Sequence, residues 1–560
     1  MNSELSFPTG DGRALNIRER IDGQGLKELL EAGLTWLRTN QQLVNSLNVF
    51  PVPDGDTGTN MLLTMQAAYN EVSKSGEANI GKMAHSVAQG ALMGARGNSG
   101  VILSQIWRGF ARGLDSQESM DASGFVRALS EARTTAYKGV VRPVEGTILT
   151  VTKDIAIAAE RKLIETADIQ IILESIVQEA EASVKRTPDL LPILKQAGVV
   201  DSGGKGLAII WEGMLRYLNG LSLETANAVV QPLATMQLEE TMESVEPGQD
   251  YEVVVDFRPS SPLDLEKFYT DLSEIGTSIQ VGEGDGMYRM HIHVPTEKRY
   301  EPIDYTMTLG TITKVAMENL VAQMDSIEKK ADAKVTIAPV EPGQIAVIAV
   351  SPGNGISRIF ASLGANGIVE GGQTMNPSTE EILKSFENLA TDKIVILPNN
   401  KNIVLAAQSA ASVTVKKVAV IPTRSVPQGL SAILRLDPDG DFERVVKDMT
   451  SAIDDVETGE VTTATRNVEI NGVAVHEGEV IALLNGKLML ASENLDDACL
   501  ELLAKAGTDE RERITLFYGL NINKADVNRI VDKIRQKYPS HEIELHEGGQ
   551  PHYQFILSVE

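Results

Sequence analysis

Residues 48–61 read NVFPVPDGDTGTNM, and the interpretation of the N-terminal region rests on this stretch. Asp54 and Asp56 lie one residue apart between prolines and glycines, so a tightly turned backbone carries two carboxylates. Mg²⁺ prefers such hard oxygen ligands together with phosphate oxygens. The apolar residues that follow recur every three or four positions, which predicts a helix from Thr57 with free N–H groups at its start. An Asx turn that caps this helix is the alternative, and the motif alone leaves both interpretations open.

A second glycine-rich run, GARGNSG at residues 94–100, closes one predicted helix and opens another. Glycines let the backbone approach an oxyanion closely, Ser99 adds a hydroxyl donor and Arg96 adds a positive charge. The run is not a Walker A loop, because no Lys-Ser or Lys-Thr pair follows its last glycine. A helix–helix turn needs only one or two glycines, so this run predicts phosphate binding.

Two further polar loops open helices in the same region. One spans residues 142–147 and ends at Thr147, and the other spans residues 200–206 and includes Asp201. Four such loops suit one end of a helical barrel. Phosphoryl transfer requires this kind of arrangement, in which metal carboxylates, backbone donors and cations surround a triphosphate.

The pattern of apolar residues changes along the chain and predicts several domains, as the length of 560 residues requires. Helical periodicity dominates the first part, and strands separated by helices near the C-terminus indicate a parallel α/β sheet with later hairpins. A helix is predicted over Ile312–Lys329. The predicted regions are an all-α domain at 1–222, a linker at 223–250, a small α+β domain at 251–335 and an α/β domain at 336–560.

Composition and charge exclude several classes of protein. A formal charge of −26 makes nucleic acid and anionic membranes poor direct partners. No apolar run approaches the ~20 residues of a membrane helix, and the N-terminus lacks the features of a signal peptide. The single cysteine, Cys499, fits a reducing compartment, so the sequence predicts a cytoplasmic protein.

These motifs carry a resemblance to known families. The runs at 48–61 and 93–100 and the DSGGKG segment at 201–206 resemble the nucleotide-binding L-type domain of the dihydroxyacetone kinase superfamily. Nearly the whole chain resembles the catalytic, ATP-binding subunit of bacterial fatty acid kinase. The C-terminal segments that carry this resemblance are EGGQTMNPST at 370–379, LPNNKN at 397–402 and IPTRSVPQG at 421–429.

The resemblance implies a kinase that uses Mg²⁺-bound ATP to convert a fatty-acid carboxylate, presented by a separate lipid-carrier protein, to acyl phosphate. It also implies a homodimer and a C-terminal domain with the DegV-like fold of the carriers, used for docking or dimerisation. By similarity Asp54 and Asp56 are catalytic Mg²⁺ ligands, and Asn48 stands near the position of a third aspartate in dihydroxyacetone kinases. The residues similar to the family's nucleotide contacts are Thr57, Gly58, Thr59, Asn60, Gly97, Asn98, Ser99, Gly100, Thr147 and Asp201.

The middle domain contains a separate candidate for metal binding. His291 and His293 lie on one predicted strand and project to the same face, because side chains alternate along a strand. Zn²⁺ needs at least one more ligand, which related chains supply as a cysteine on the preceding strand. Here Asp250 is the predicted substitute, with Glu252 as the other candidate. A pair of partly exposed histidines without metal is the alternative.

Two other functions remain open from the sequence. A dihydroxyacetone-type kinase acting on another small acceptor would need a substrate domain with a histidine that binds the ketone covalently, and no such domain is evident. A non-catalytic regulator that binds lipid and senses nucleotide would bind ATP without forming acyl phosphate.

Overall fold

A computed structural model describes residues 20–48, 55–140, 142–223, 231–232, 250–284, 286–319, 335–373, 375–464, 468–470 and 472–560. The chain forms two compact units. The first combines residues 1–224 with 335–464 and 468–560, and the second comprises residues 225–334 and 465–467. None of the described helices is both long enough and apolar enough to cross a membrane.

The N-terminal part of the first unit is helical throughout its described residues, apart from one isolated bridge between Ile21 and Met120. Its helices are α1 Gly23–Thr39, α2 Gln41–Ser46, α3 Thr57–Val72, α4 Ile80–Met93, α5 Gly97–Gly113, α6 Ala122–Lys138, α7 Ile148–Leu163, α8 Ile169–Leu190, α9 Pro192–Ala197 and α10 Ser202–Leu218.

Eight long helices of this region form a closed ring. In the order α1, α3, α4, α5, α6, α7, α8 and α10, each packs against the next, and α10 returns to α1. The inward faces follow the predicted periodicity and bury one continuous apolar core. Its centre contains Trp107, Phe110, Phe125 and Trp211, whose ring centroids lie 5.6–6.3 Å apart in successive pairs. The predicted helical barrel is therefore confirmed.

The C-terminal part of the first unit contains two main sheets. A parallel sheet has the order β7-β6-β8-β9, and a mixed sheet has the order β14-β13-β10-β17-β15-β16. The strands are β6 Ile345–Ser351, β7 Gly367–Glu370, β8 Lys393–Leu397, β9 Lys417–Val420, β10 Glu457–Thr463, β11 Val468–Ile470, β12 Val473–Val475, β13 Val480–Leu484, β14 Lys487–Ser492, β15 Arg513–Tyr518, β16 Glu542–Glu547 and β17 Tyr553–Val559.

The helices of this part follow the strands as the sequence predicts for an α/β domain. They are α13 Asn354–Ser362, α14 Thr379–Glu387, α15 Val404–Ser412, α16 Val426–Ile433, α17 Phe442–Ser451, α18 Leu495–Lys505 and α19 Lys524–Lys537. The start of α14 has a complete capping box, in which Ser378 and Glu381 satisfy each other's backbone N–H groups.

The parallel sheet packs directly against the helical barrel. Ala95 and Val101, at the start of α5, belong to the same buried apolar cluster as Ile348 of β6 and Ile396 of β8. The backbone N–H of Thr379 donates to the Ala95 carbonyl at 3.2 Å. The C-terminal sheet is therefore part of the surroundings of the 94–100 loop.

The second unit is a five-stranded sheet with two flanking helices. Its strands are β1 Gln231–Pro232, β2 Tyr251–Pro259, β3 Thr277–Gly284, β4 Met287–Val294 and β5 Gly310–Asn319, and its helices are α11 Leu265–Ile275 and α12 Glu301–Leu309. The strand order is β1-β3-β4-β2-β5, with β1 parallel to β3 and the other pairs antiparallel.

Two predictions for this region are wrong. The helix predicted over Ile312–Lys329 is a strand as far as Asn319, because Ile312, Thr313 and Val315 favour extended backbone and the segment pairs with β2. Residues 320–334 lie outside the described residues. The predicted linker at 223–250 includes β1, which joins the sheet beside β3.

Candidate functional site

Asp56 lies at the start of α3, directly after Gly55, whose φ of 59° needs a residue without a side chain. The Asp56 side chain is nearly buried, with 8% exposure. Its two oxygens face two asparagines: Asn48 Nδ2 lies 3.5 Å from Oδ1, and Asn376 Nδ2 lies 2.5 Å from Oδ2. Asp54, the other predicted ligand, lies outside the described residues.

The first turn of α3 is not open to a ligand in the way the sequence predicts. Asn45 of α2 accepts hydrogen bonds from the N–H groups of Gly58 at 2.7 Å and Thr59 at 3.2 Å. The Thr59 hydroxyl accepts bonds from the side chains of Gln41 and Asn45. A capping side chain from the preceding helix therefore occupies the amides that we expected to meet phosphate. Sequence reasoning missed Asn45 because its cap is thirteen residues away.

The start of α5 is different, because it has no side-chain cap. Within the described part of the chain, no hydrogen-bond acceptor meets the N–H groups of Gly97, Asn98 or Ser99. Gly97 has a φ of 55° and turns these amides in the direction of a shared space. Three free amides at a helix start, with the positive end of the helix dipole, form a site for an oxyanion.

The glycines of these loops are required for two different reasons. A Cβ atom on Gly58 would lie 2.4 Å from the Gln41 carbonyl oxygen, and one on Gly100 would lie 2.4 Å from Thr64 Oγ1. These two glycines allow close packing between helices. Gly97 instead combines positive φ with contact to the Asn60 side chain, since a Cβ would lie 2.8 Å from Asn60 Nδ2. Of the three, Gly97 is the one whose backbone conformation shapes the anion site.

The two remaining loops contact each other and the start of α3. Ser202 donates a hydrogen bond to the Thr57 hydroxyl at 3.2 Å. Asp201 caps α10 by accepting from the Gly204 N–H at 2.7 Å, and it also accepts from the backbone of Ile148. Thr147 caps α7. All three side chains therefore serve as caps or links, and α5 is left as the uncapped helix start among the four.

Asp201 has a perturbed acidity. Burial raises its pKa to about 6, and the backbone hydrogen bonds from Gly204 and Ile148 oppose this rise without cancelling it. A carboxyl group that titrates near neutral pH at the end of the barrel responds to any anion or cation bound beside it.

Arg96 points away from the anion site. Its guanidinium donates to the Asn376 carbonyl oxygen at 2.9 Å and pairs with Glu381 at 3.1 Å. Asn98 also contacts the C-terminal part, because its Nδ2 donates to Asn402 at 3.1 Å. The positive charge predicted for the phosphate loop therefore links this loop to the C-terminal domain. The sequence assigns no role to Asn376, although the residue lies in one of the runs that carry the family resemblance.

The structure thus brings together a subset of the predicted residues. Asp56, Asn48, Asn60 and the start of α5 lie around one position, and Asn376 completes this group from the C-terminal domain. Thr59 is directed to α2, and Thr147 and Asp201 act at neighbouring helix starts. The group combines hard oxygen donors with free amides, which suits a metal-bound phosphate.

In the second unit, the two histidines do meet. His291 and His293 lie on β4 with ring centroids 5.0 Å apart, and Glu252 on β2 joins them. One ligand atom from each of the three residues lies within 4.8 Å of the other two. Glu252 Oε1 lies 2.9 Å from His291 Nε2. Burial opposes ionisation of Glu252, but the two histidines outweigh it and lower the pKa of this carboxyl.

The predicted third ligand, Asp250, is not part of this group. Its carboxylate accepts a hydrogen bond from Thr296 at 2.5 Å. The register explains the difference, because Glu252 stands opposite His293 on the neighbouring strand, whereas Asp250 precedes the strand. Glu252 is therefore the acidic partner of the two histidines.

Comparison with known proteins agrees with this architecture. Residues 51–216 match the DAK2 domain, residues 246–327 match the middle domain of FakA-like fatty acid kinase proteins, and residues 346–560 match the C-terminal domain of the same proteins. Protein YloV of Bacillus subtilis (strain 168) is 40% identical over 554 residues, which cover 96% of this chain and 99% of that protein. The chain belongs to the FakA-like fatty acid kinase family.

A second relative of this family member is the uncharacterized protein SAR1202 of Staphylococcus aureus (strain MRSA252). It is 38% identical over 548 residues, covering 97% of this chain and all of that protein. The predicted multidomain fold, with a helical kinase-type domain and a C-terminal α/β domain, is confirmed. The predicted enzyme class is confirmed as far as kinase.

Two solved structures show more distant similarity. Dihydroxyacetone kinase from C. freundii in complex with AMP-PNP and Mg²⁺ is 14% identical, with a TM-score of 0.28 and coverage of 39% of this chain and 38% of that one. The Streptococcus pneumoniae fatty acid kinase B3 protein loaded with linoleic acid is 14% identical, with a TM-score of 0.27 and coverage of 39% and 99%.

Proposed function

We propose that this protein uses Mg²⁺-bound ATP to phosphorylate the carboxylate of a fatty acid, which a separate lipid-carrier protein presents. The observation that carries the proposal is the position of Asp56 beside the uncapped start of α5. A carboxylate holds the metal there, and the amides of Gly97, Asn98 and Ser99 receive the phosphate oxygens. Asp54 and Asn48 are the further ligands that we propose from the sequence.

The reaction itself needs little from the protein beyond positioning. A fatty-acid carboxylate has a pKa near ~4–5 and is ionised at neutral pH, so no general base is required. One carboxylate oxygen forms a bond to the γ-phosphorus while the bond to the β–γ bridging oxygen breaks and ADP leaves. When bound, Mg²⁺ neutralises charge on the phosphates. The amides of α5 hold the phosphates in place, and the barrel end orients them in line with the acceptor.

The test is ATP consumption by the purified full-length protein with oleate, with and without a lipid-carrier protein from the same cell. Asp56→Ala should lower turnover at least about a hundredfold, since it removes a charged ligand at the reacting phosphates. Asp115→Asn is the control, because Asp115 is an exposed acid paired with His85 at the other end of α5. Normal turnover in Asp56→Ala would refute the site assignment.

The same assay separates the other functions considered from the sequence. Consumption of ATP with a small hydroxylated ketone but not with oleate would indicate a dihydroxyacetone-type kinase. Nucleotide binding without any transfer would indicate a regulator. Size measurement in solution tests the predicted homodimer, which we propose from family membership alone.

We also propose that Glu252, His291 and His293 hold a divalent cation of the Zn²⁺ type. The support is the convergence of the three side chains within 4.8 Å on adjacent strands, two nitrogen donors and one carboxylate being a known zinc set. Metal analysis of the purified protein after mild chelation is the direct check. A protein without bound zinc at this stage would refute the proposal.

A further inference from the structure

The Asn376 side chain has an unusual environment for an amide. It is 3% exposed, and its Oδ1 atom is fully buried with no hydrogen-bond partner among the described residues. Leaving a buried acceptor unpaired costs roughly 1–3 kcal/mol. Native proteins rarely keep such an atom unless it has a function. The Nδ2 atom of the same amide lies 2.5 Å from Asp56 Oδ2.

The segment that carries Asn376 is held firmly against the phosphate loop. Arg96 donates to the Asn376 carbonyl oxygen, and the Thr379 N–H donates to the Ala95 carbonyl oxygen. Pro377 follows Asn376 and restricts its backbone to extended conformations. The capping box of Ser378 anchors the next helix. The side chain is therefore presented to Asp56 by a rigid support.

Asn376 also contacts the anion site itself. A Cβ atom on Gly97 would lie 3.5 Å from Asn376 Nδ2, so the amide borders the turn that exposes the free N–H groups of α5. The oxygen and nitrogen of an asparagine amide exchange places by rotation about one bond. In either orientation, a neutral oxygen donor without a protein partner belongs to a group next to the Asp56 carboxylate.

We propose that Asn376 of the C-terminal domain is a ligand of the metal bound at Asp56, supplied through its amide oxygen. This inference rests on the proposed metal–nucleotide site. Divalent cations of the Mg²⁺ type accept amide oxygens together with carboxylates. A neutral ligand adds an oxygen without adding charge to a chain whose formal charge is already −26. The C-terminal domain thereby contributes directly to the kinase site.

The experiment compares the affinity of the full-length protein for AMP-PNP in the presence of Mn²⁺ and in EDTA, by calorimetry. The ratio of the two affinities measures what the metal adds, independently of turnover. Asn376→Ala should reduce this ratio about tenfold, which corresponds to about 1.4 kcal/mol, and should leave the affinity in EDTA unchanged. Asn376→Asp, which keeps an oxygen at the same position, should retain the ratio.

Glu381→Gln is the matched control for docking of the C-terminal domain. It removes the charge that pairs with Arg96 but keeps the oxygen that caps α14, so the ratio should not change. If Glu381→Gln lowers the ratio as much as Asn376→Ala does, the effect comes from domain docking and the inference is wrong. If Asn376→Ala fails to fold, Asn376→Asp decides alone, and loss of the ratio there refutes the inference.

Asp56→Ala separates this inference from the proposed function. A normal ratio in Asn376→Ala with a lost ratio in Asp56→Ala would remove Asn376 from the site and leave the metal at Asp56. A normal ratio in both variants would refute the metal assignment at Asp56, and with it the role of Asn376.

Discussion

The Asp56 site and the Glu252 cluster both gather oxygen or nitrogen donors, but they are assembled in different ways. The cluster takes its three members from adjacent strands of one small sheet, and strand register sets their distances. The Asp56 site takes Asn376 from a position 320 residues away, beside another sheet. A site made by local register forms whenever its sheet forms, whereas a site made across domains also requires their docking.

Gly97→Ala should have the largest effect among tests of this comparison, because it acts on the turn that exposes the amides of α5. Alanine at a φ of 55° costs roughly 1–2 kcal/mol, and its Cβ would also meet the Asn60 side chain. We expect affinity for AMP-PNP with Mg²⁺ to fall at least about tenfold in a calorimetric titration.

The control for this change is Gly198→Ala. Gly198 also has positive φ, at 67°, but no atom lies within 4 Å of its Cβ position. The two variants should lose similar stability, and Gly198→Ala should bind nucleotide normally. Equal loss of nucleotide affinity in both would mean that Gly97 matters for folding alone.

His291→Ala should remove the metal from the middle domain, because it deletes one of three ligands. Elemental analysis should show loss of about one equivalent of zinc per chain, while His85→Ala, which alters an exposed histidine in the barrel, retains it. Glu252→Gln should weaken retention during chelation, and Asp250→Ala should not. The reverse order for these two acids would restore the ligand predicted from sequence.

Asp201→Asn should change the pH dependence of stability. The folded state raises the Asp201 pKa to about 6, so the folded protein holds this proton more tightly than the unfolded chain. The associated stability is complete below the unfolded pKa and is lost as pH rises through about 6, by at most about 3 kcal/mol. Asparagine can keep the cap without ionising, so urea denaturation should show greater stability at pH 7–8.

Asp121→Asn is the control for this pH effect. Asp121 caps α6 with the same bond to the third residue of its helix, but it is exposed. Its replacement should leave the shape of the pH profile unchanged. A profile in Asp201→Asn that still falls between pH 4 and 6 would assign the dependence to another group.

Helix positions in the barrel were largely predictable, because each long helix has a regular apolar face that the ring buries. The helix predicted over Ile80–Met93 has those bounds in the structure. The failure at Ile312–Lys329 arose because the apolar spacing fits a helix, while β-branched residues and pairing with β2 decide in favour of a strand. Local periodicity does not include the partner strand.

The candidate site was predictable only in part, for a similar reason. Asp56 and the 94–100 run stand out in sequence because glycines and carboxylates are concentrated there. Asn45 and Asn376 are isolated asparagines whose importance depends on contacts with distant segments. The sequence also shows four helix-opening loops without showing that caps occupy three of them. Only the structure distinguishes α5 as the helix start with free amides among the described residues of these four loops.

The most direct test of the central claim is to detect the product. The full-length protein is incubated with Mg²⁺, ATP, oleate and its lipid carrier, and hydroxylamine traps acyl phosphate as a hydroxamate that mass spectrometry quantifies. We predict hydroxamate that depends on ATP and on Asp56 and that forms in proportion to ADP. ADP formation without hydroxamate, or equal hydroxamate from Asp56→Ala, would contradict the proposed transfer to a carboxylate at this site.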